Sequence, residues 1–205
     1  MKDEELKRMQ EVEVKDTLIF QGKVVGLHEY DVRLPNGNTA KREVVRHCQG
    51  ATILALNDKG ECLLEHQFRF AYNEVLLELP AGKCEEGEDP LVAARRELEE
   101  ETGYKAGKIV KLGEFYPSCG YTDENIHLFL ATDLTLGEKH LDADENLNVE
   151  WVKLDDVLTM IREDRIKDGK TIAAIFDYLL RHKEIHLWQK GSLARRNLSL
   201  DYFSS

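Results

Sequence analysis

The feature that most constrains the fold is a change of pattern between residues 74 and 104. The run EVLLELPAG has the composition of a buried β-strand and stops at a proline and Gly82. Asp89 can then cap a helix, with Pro90 in its first turn where a missing N–H does no harm, and Gly103 can end it. The sequence therefore predicts a glycine-containing loop that leads from an apolar strand directly into a helix.

This helix carries a high density of acidic side chains. Four glutamates fall within five consecutive positions, namely Glu97, Glu99, Glu100 and Glu101. Arg95 lies one turn before Glu99, and the spacing predicts an ion pair between them. Arg96 is predicted to pair with Glu100 in the same way. Glu97 and Glu101 then form a like-charged pair with no cation inside the helix, which costs about a few tenths of a kcal/mol in water and more in a cleft.

The repulsion between these glutamates needs an explanation. A solvated acidic face is the ordinary one for a glutamate-rich helix. The flanking loop favours a different one, because carboxylates one turn apart beside bare backbone at Ala81 and Gly82 provide the oxygen ligands of a hard divalent cation. We therefore expect a site for Mg²⁺, with Mn²⁺ as an alternative ion.

The spacing of the whole segment resembles a known signature. Gly82, five residues, Glu88, seven residues and then RELEEETG resemble the Nudix box of the Nudix hydrolases, which cleave the pyrophosphate of nucleoside diphosphates linked to a second group. The resemblance implies a metal site made by Glu97, Glu100, Glu101 and the carbonyl of Ala81. Glu100 and Glu101 would also act in catalysis. Structural roles would fall to Gly82, Arg96 and Gly103, with Arg96 orienting the glutamates through hydrogen bonds.

The likeness continues outside the box. The segments EHQFRF, LLELPAGK, YPSCGYTDE and LDADENLNVEWV resemble successive parts of the ADP-ribose pyrophosphatases, over roughly residues 17–183. The resemblance implies the Nudix fold of the α/β class, an α/β/α sandwich with a mixed sheet, preceded by a region of antiparallel strands. It also implies a homodimer that exchanges its N-terminal strands. The expected division is an arm at 1–46, a catalytic domain at 47–183 and a tail of unknown role at 184–205.

Local patterns agree with a mixed sheet flanked by helices. The Asn-Gly pair in Leu34–Asn38 predicts one hairpin, and Asn57–Gly60 predicts a second between two apolar strands. Leu91, Ala94, Leu98 and Thr102 are predicted to form the inward stripe of the acidic helix. Further strands are predicted at 109–116, 125–132 and 147–152, and further helices near Asp155 and at about 170–183.

Three substrate-binding residues are implied by the resemblance in the first half of the chain. Arg42 and Glu43 match an arginine–glutamate pair that reaches the substrate from the other subunit. Arg69 matches an arginine that contacts phosphate or ribose, although a surface ion pair at a strand end is the alternative. Glu78, at the end of the strand before the box, either faces the site or is an ordinary strand residue.

The second half adds a loop and one further glutamate. Glu124 matches a family glutamate near the substrate, and Ser118 and Gly120 lie in the adjacent loop. Cys119 stands where the family usually has a proline, which weakens the argument for recognition on the adenosine side.

A separate acidic loop, LDADEN, departs further from the family. Ala143 occupies a position that often holds a glutamate, and Glu145 keeps the family position best. The resemblance makes Glu145 either a ligand of an extra metal or the residue that activates water. The identity of the general base stays open.

Composition excludes several classes of partner. The net charge of −11 argues against nucleic acid, because binding phosphate backbones needs a cationic surface. The four cysteines show neither a CxxC pair nor zinc-ligand spacing, so we expect a reducing, cytoplasmic setting. The longest apolar run is too short for a bilayer, so we expect no membrane partner.

The reaction predicted from the resemblance is Mg²⁺-dependent cleavage of ADP-ribose to AMP and ribose 5-phosphate. One alternative is a hydrolase of GDP-mannose or another nucleotide sugar, since the segment Ile166–Thr171 also resembles those relatives. Another is a Nudix module that senses a nucleotide without cleaving it, which the intact box disfavours.

Overall fold

The computed structural model describes residues 3–140 and 147–182 of the 205-residue chain. The elements in chain order are α1 (Asp3–Lys7), β1 (Val12–Gln21), β2 (Gly26–Arg33), β3 (Thr39–Arg46), β4 (Gly50–Ala55), β5 (Glu61–Arg69), β6 (Glu74–Glu78), β7 (Ala81–Lys83), α2 (Pro90–Thr102), β8 (Tyr104–Phe115), β9 (Ile126–Leu136), β10 (Leu147–Lys153), α3 (Leu154–Arg162) and α4 (Gly169–His182).

The N-terminal part is a three-stranded antiparallel sheet in the order β1-β2-β3. The predicted hairpin in Leu34–Asn38 is present between β2 and β3, and Gly37 takes the left-handed conformation that the turn needs, at φ 86°. β1 is exposed along almost its whole length, including the apolar side chains of Leu18, Ile19 and Phe20. Nothing in the part of the chain that the structure describes covers these apolar side chains.

The following domain contains two further sheets. One is mixed, in the order β7-β4-β9-β8, with β4 and β9 parallel, and the other is antiparallel, in the order β10-β5-β6. Alternate residues of β4 face opposite sides, so Ile53 packs in the core under α2 and Leu54 in the core under α3 and α4. A mixed sheet between helical layers is the fold class that the sequence predicts.

The predicted hairpin at Asn57–Gly60 is wrong as a pairing of strands. The turn exists, with Gly60 at φ 73°, but β4 and β5 lie in different sheets and share a single bridge, between Leu56 and Cys62. Both strands have other partners on each side, because β4 pairs with β7 and β9 while β5 pairs with β6 and β10.

The acidic helix α2 begins and ends as predicted. The carboxylate of Asp89 accepts the N–H of Leu91 at 2.8 Å, and Gly103 closes the helix at φ 77°. Leu91 is exposed, so its place in the inward stripe is wrong. The buried face consists of Ala93, Ala94, Glu97, Leu98, Glu101 and Thr102, which means that the helix turns two of its glutamates inward. None of the helices in the described ranges is long and apolar enough to cross a bilayer.

Candidate active site

A cavity of about 830 Å³ opens above the glutamates of α2. Its walls come from α2, from strands β4 to β7, from the segment after β8 and from the first turn of α4. Among the site residues predicted from the sequence, the following line it: Arg69, Ala81, Gly82, Arg96, Glu97, Glu100, Glu101 and Glu124. These residues span more than 50 positions of the chain, so the fold brings the predicted site together.

Gly82 is required by the close approach of α2. The β4–β7 pairing places Gly82 opposite Ala51, and the carboxylate of Glu97 lies directly over it. A Cβ atom at Gly82 would come within 1.9 Å of Glu97 Cδ, a distance that no real contact allows. The glycine of the motif therefore makes room for the Glu97 carboxylate of α2.

Arg96 joins three carboxylates at the cavity edge. Its guanidinium donates to Glu88 at 3.0 and 3.1 Å, to Glu97 at 2.8 Å and to Glu100 at 3.0 Å. These bonds hold the pKa of the Glu88 carboxyl below its usual range, because the charged acceptor is stabilised. The predicted ion pair with Glu100 is present.

Two expectations about charge pairing in α2 are wrong. Glu97 does have a cationic partner, since the guanidinium of its neighbour Arg96 reaches it from the same helix. Arg95 does not pair with Glu99 but donates to the carbonyl of Ala106, and Glu99 pairs with Lys105 instead. The i,i+4 spacing permitted the pair, but β8 runs beside the helix and provides better placed partners.

The glutamate oxygens in the cavity are of the chemical type that binds a divalent cation. Glu101 is buried, and its Oε2 accepts the N–H of Ala81 at 3.0 Å, which fixes the carboxylate beside the strand end. Carboxylate oxygens of this kind are the ligands that Mg²⁺ and Mn²⁺ prefer. Within the described ranges, however, no three His, Cys, Asp or Glu side chains converge on one point as a preformed metal site would require. Glu97 and Glu100 instead each give one carboxylate oxygen to the guanidinium of Arg96.

Glu78 faces the cavity, so it is not an ordinary strand residue. It is fully buried, and it accepts from Arg69 Nε at 2.7 Å and Nη2 at 2.6 Å, and also from Lys170. Burial alone would raise the pKa of Glu78, but the bonds and charges of Arg69 and Lys170 outweigh burial and hold that pKa below its usual range. Arg69 is thus fixed in the cavity wall by an ion pair with a buried partner.

Sequence reasoning missed the contribution of α4 to the site. Lys170 lines the cavity and lies 3.1 Å from Asp168, whose carboxylate also accepts from the backbone and hydroxyl of Thr171. The Thr171 hydroxyl accepts the N–H of Leu79 at 2.8 Å, which ties the helix to the strand carrying Glu78. The sequence signal for this contribution is the segment Ile166–Thr171, in which an aspartate precedes the start of a helix. The signal does not reveal that Lys170 binds Glu78, because the two residues are about 90 positions apart.

The remaining predicted residues lie outside the cavity or outside the described ranges. Arg42 and Glu43 are exposed on β3, and Arg42 donates to Glu11 at 3.0 and 2.5 Å. Ser118 and Gly120 belong to the loop that carries Glu124 but do not line the cavity themselves. Glu145 and the loop LDADEN lie at 141–146, which the structure does not describe.

Comparison with known proteins places the chain in a family. Residues 46–175 match the NUDIX domain, and the chain belongs to the Nudix family. A solved structure described as an ADP compounds hydrolase shares the fold, with a TM-score of 0.75 over 89% of this chain and 96% of that chain, at 19% sequence identity.

Three named relatives are similar to this chain along most of their length. "ADP-ribose pyrophosphatase" from Bacillus subtilis (strain 168) is 43% identical over 172 residues, which cover 83% of this chain and 93% of that protein. "Methanol dehydrogenase activator" from Bacillus methanolicus is 42% identical over 86% of this chain and 99% of that protein. "GDP-mannose pyrophosphatase" from Yersinia pestis (strain Pestoides F) is 34% identical over 83% of this chain and 90% of that protein.

Proposed function

We propose that the chain is a Mg²⁺-dependent pyrophosphohydrolase that cleaves ADP-ribose to AMP and ribose 5-phosphate. The observation that carries this proposal is the placement in one cavity of the buried carboxylates of α2 and the cations Arg69 and Lys170. Acidic oxygens suit a divalent cation, and cations beside them suit an anionic pyrophosphate. The similarity to ADP-ribose pyrophosphatases supports the choice of substrate.

The reaction is a hydrolysis in which the oxygen of water forms a bond to one phosphorus of the pyrophosphate. The bond from that phosphorus to the bridging oxygen breaks, the bridging oxygen leaves with the other phosphate, and the proton of water is released. Glu97, Glu100 and Glu101 would hold the metal, which when bound neutralises charge on the phosphates and lowers the pKa of a bound water. Arg69 has five N–H donors and gives two to Glu78, which leaves others for phosphate oxygens.

A second candidate substrate has support from the structure. Asp168 and Lys170 line the cavity, and they belong to the segment in which the sequence resembles hydrolases of GDP-mannose. A carboxylate and an ammonium group at the cavity wall can both hydrogen-bond the hydroxyls of a hexose. GDP-mannose is therefore the alternative substrate to test.

A substrate panel separates these candidates. ADP-ribose, ADP-glucose, GDP-mannose and NAD⁺ are incubated with the enzyme and Mg²⁺, and released AMP and GMP are measured. We expect kcat/KM to be highest for ADP-ribose, and preferential release of GMP would move the assignment to GDP-mannose. Nucleotide binding without any hydrolysis would instead support the sensing module.

Glu101→Gln provides the matched test of the site. The variant keeps the side-chain volume and an oxygen acceptor for the Ala81 amide but loses the charge. We expect hydrolysis to fall by at least about 10²-fold with the free energy of unfolding nearly unchanged. A variant with near wild-type kcat would contradict the metal assignment.

We also propose that the chain forms a homodimer through residues 1–46, with Arg42 and Glu43 reaching the partner's substrate. The exposed apolar side chains of β1 support this assembly, because an edge strand that exposes apolar side chains favours association with another chain. All four cysteines lie in the described ranges and are free thiols, which supports a reducing compartment such as the cytoplasm. Glu145 stays a prediction for the residue that activates water or binds an extra metal.

A further inference from the structure

The loop at 116–125, between β8 and β9, is attached to the N-terminal sheet. The N–H of Val45 donates to the carbonyl of Tyr121 at 2.7 Å, and the N–H of Asp123 donates to the carbonyl of Val45 at 3.3 Å. These two bonds form a short parallel bridge between Val45 and Thr122. The loop that carries Glu124 therefore continues the edge of β3.

A charged contact locks this bridge in place. Both carboxylate oxygens of Asp123 are used, since Oδ1 accepts the N–H of His47 at 2.9 Å and Oδ2 accepts Arg46 Nη1 at 2.8 Å. Burial alone would raise the pKa of Asp123, but the bonds from Arg46 and His47 outweigh burial and hold that pKa below its usual range. Asp123 is therefore a charged acceptor that joins the loop to the end of β3.

Arg46 extends the contact to a third element. Its Nη2 and Nε donate to the hydroxyl of Tyr30 on β2, at 2.7 and 3.2 Å, and the guanidinium carbon lies 5.3 Å from the centre of the tyrosine ring. The hydrogen bonds to Asp123 and Tyr30 stabilise the charged form of Arg46 and raise its pKa. Burial acts in the opposite direction, but its effect is smaller. We call Tyr30, Arg46, His47 and Asp123 the Arg46 junction.

The junction ends beside the cavity. Glu124 follows Asp123 directly, lines the cavity, and lies 3.7 Å from the ring Nδ1 of His47. Arg46 and Asp123 do not line the cavity in the described part of the chain. We propose that Arg46 and Asp123 are positioning residues, which hold Glu124 and its loop against the N-terminal sheet in the orientation that binds substrate.

This inference rests on the proposed function for the identity of the substrate. The attachment of the loop rests on the hydrogen bonds of the junction alone. The competing explanation is an ordinary surface ion pair, since the side chains of Arg46 and Asp123 are 47% and 38% exposed. Exposed pairs typically contribute little by themselves. The junction differs because the Asp123 carboxylate also accepts a backbone N–H and the Arg46 guanidinium also binds Tyr30. Losing the Arg46 side chain therefore removes two attachments and leaves the His47 N–H as the remaining one of the three.

The test compares Arg46→Gln and Asp123→Asn with Lys41→Gln. Lys41 is the matched control, because it forms exposed ion pairs with Glu29 and Asp31 on the same sheet but does not contact the loop. We expect KM for ADP-ribose to rise about 10-fold in the two junction variants, with kcat within about two-fold of wild type. Arg46→Lys should recover part of the loss, because an ammonium group can still donate to Asp123. Lys41→Gln should leave both constants unchanged.

A double variant tests whether the junction acts through Glu124. If it does, Arg46→Gln should add little to the KM of a Glu124→Gln enzyme, whereas independent effects would multiply. Multiplicative effects, an unchanged KM in both junction variants, or a loss of kcat at constant KM would each overturn the proposal.

Amide hydrogen exchange separates this inference from the proposed function. If the wild-type enzyme cleaves no nucleotide sugar, the substrate assignment fails, but the attachment can still be measured. Arg46→Gln and the milder Tyr30→Phe should speed exchange at Val45 and Asp123 at least about 10-fold while exchange in β9 stays unchanged. Unchanged exchange at Val45 and Asp123 would refute the junction, and faster exchange throughout would show general destabilisation and refute it too.

Discussion

Gly82 and Glu97 show how closely one carboxylate of α2 is packed. Gly82→Ala places a Cβ on top of the Glu97 carboxylate, and the pairing of Gly82 with Ala51 prevents the strand from moving away. We expect kcat to fall about 10²-fold, because displacing a reacting group by about 1 Å has that effect. Gly50→Ala is the control in the same ladder, since its Cβ would make ordinary contacts at 3.5 and 3.7 Å. Steady-state kinetics and Mn²⁺ binding by electron paramagnetic resonance measure the outcome, and equal loss in both variants would contradict the explanation.

Glu78 makes folding stability depend on pH. Its pKa in the folded protein lies below the ordinary value of 4.5, so the unfolded chain binds more protons as the pH falls. The stabilisation from Arg69 and Lys170 is therefore complete above that ordinary value and is lost as the pH falls through the lower, folded value. We expect Glu78→Gln to lower the free energy of unfolding by about 3 kcal/mol at neutral pH, because two cations lose their buried partner.

Urea unfolding at a series of pH values measures this effect. The difference between wild type and Glu78→Gln should shrink as the pH falls below 4.5, where the wild-type carboxylate also loses its charge. Glu74→Gln is the control, because Glu74 forms an ion pair with Lys167 in which both side chains are about half exposed. That change should cost less than about 1 kcal/mol at every pH. A pH-independent difference for Glu78→Gln would refute the assigned pairing.

The cap of α2 at Asp89 is separated along the helix from the glutamates that we propose as metal ligands. Asp89→Ala removes the side-chain acceptor of the Leu91 N–H and should lower the free energy of unfolding by about 1 kcal/mol. Asp89→Ser should restore most of that loss, since serine caps equally well. Because Glu97 and Glu101 lie two and three turns further along, kcat should change less than two-fold. Urea unfolding and steady-state kinetics check both parts, and a large loss of kcat would mean that the cap also positions the site.

Helix ends and turns were predictable from sequence where the interactions that form them involve neighbouring residues. The cap at Asp89, the end of α2 at Gly103 and the turn at Gly37 each depend on a few neighbouring residues, and all three are present. The pairing of β4 was not predictable in the same way. Its parallel partner begins at Ile126, and nothing near the turn at Asn57–Gly60 indicates that β4 joins that strand instead of β5.

The same distinction separates the parts of the site. Gly82, Arg96 and three glutamates of the Nudix box (Glu97, Glu100 and Glu101) line one cavity, because strand, loop and helix follow one another in the chain. The bond between Lys170 and Glu78 joins residues 92 positions apart, and the Arg46 junction joins residues 77 positions apart. The packing of α4 and of the β8–β9 loop onto the sheets creates these contacts, so patterns along the chain do not identify the partners.

At the scale of the whole molecule, no other part of the described ranges covers the apolar side chains of β1 in the N-terminal sheet. Leu18, Ile19 and Phe20 are each more than half exposed, and among the described strands β1 pairs with β2 alone. An edge strand with exposed apolar side chains is a site for association with another chain. In the homodimer that we propose, the second copy would cover β1, and Arg42 would reach the substrate of that copy.

Mixing two inactive variants tests that arrangement. If Arg42 acts on the partner's substrate, a dimer of one Arg42→Ala chain and one Glu101→Gln chain contains one site with both residues intact. Refolding the two variants together at equal concentration should therefore recover about a quarter of wild-type activity, because about half of the dimers are mixed and each has one working site. Arg69→Ala mixed with Glu101→Gln is the matched control, since both residues line the cavity of the same chain and no intact site can form. A strictly monomeric mass in solution, or recovery in neither mixture, would refute the exchange of Arg42 between subunits.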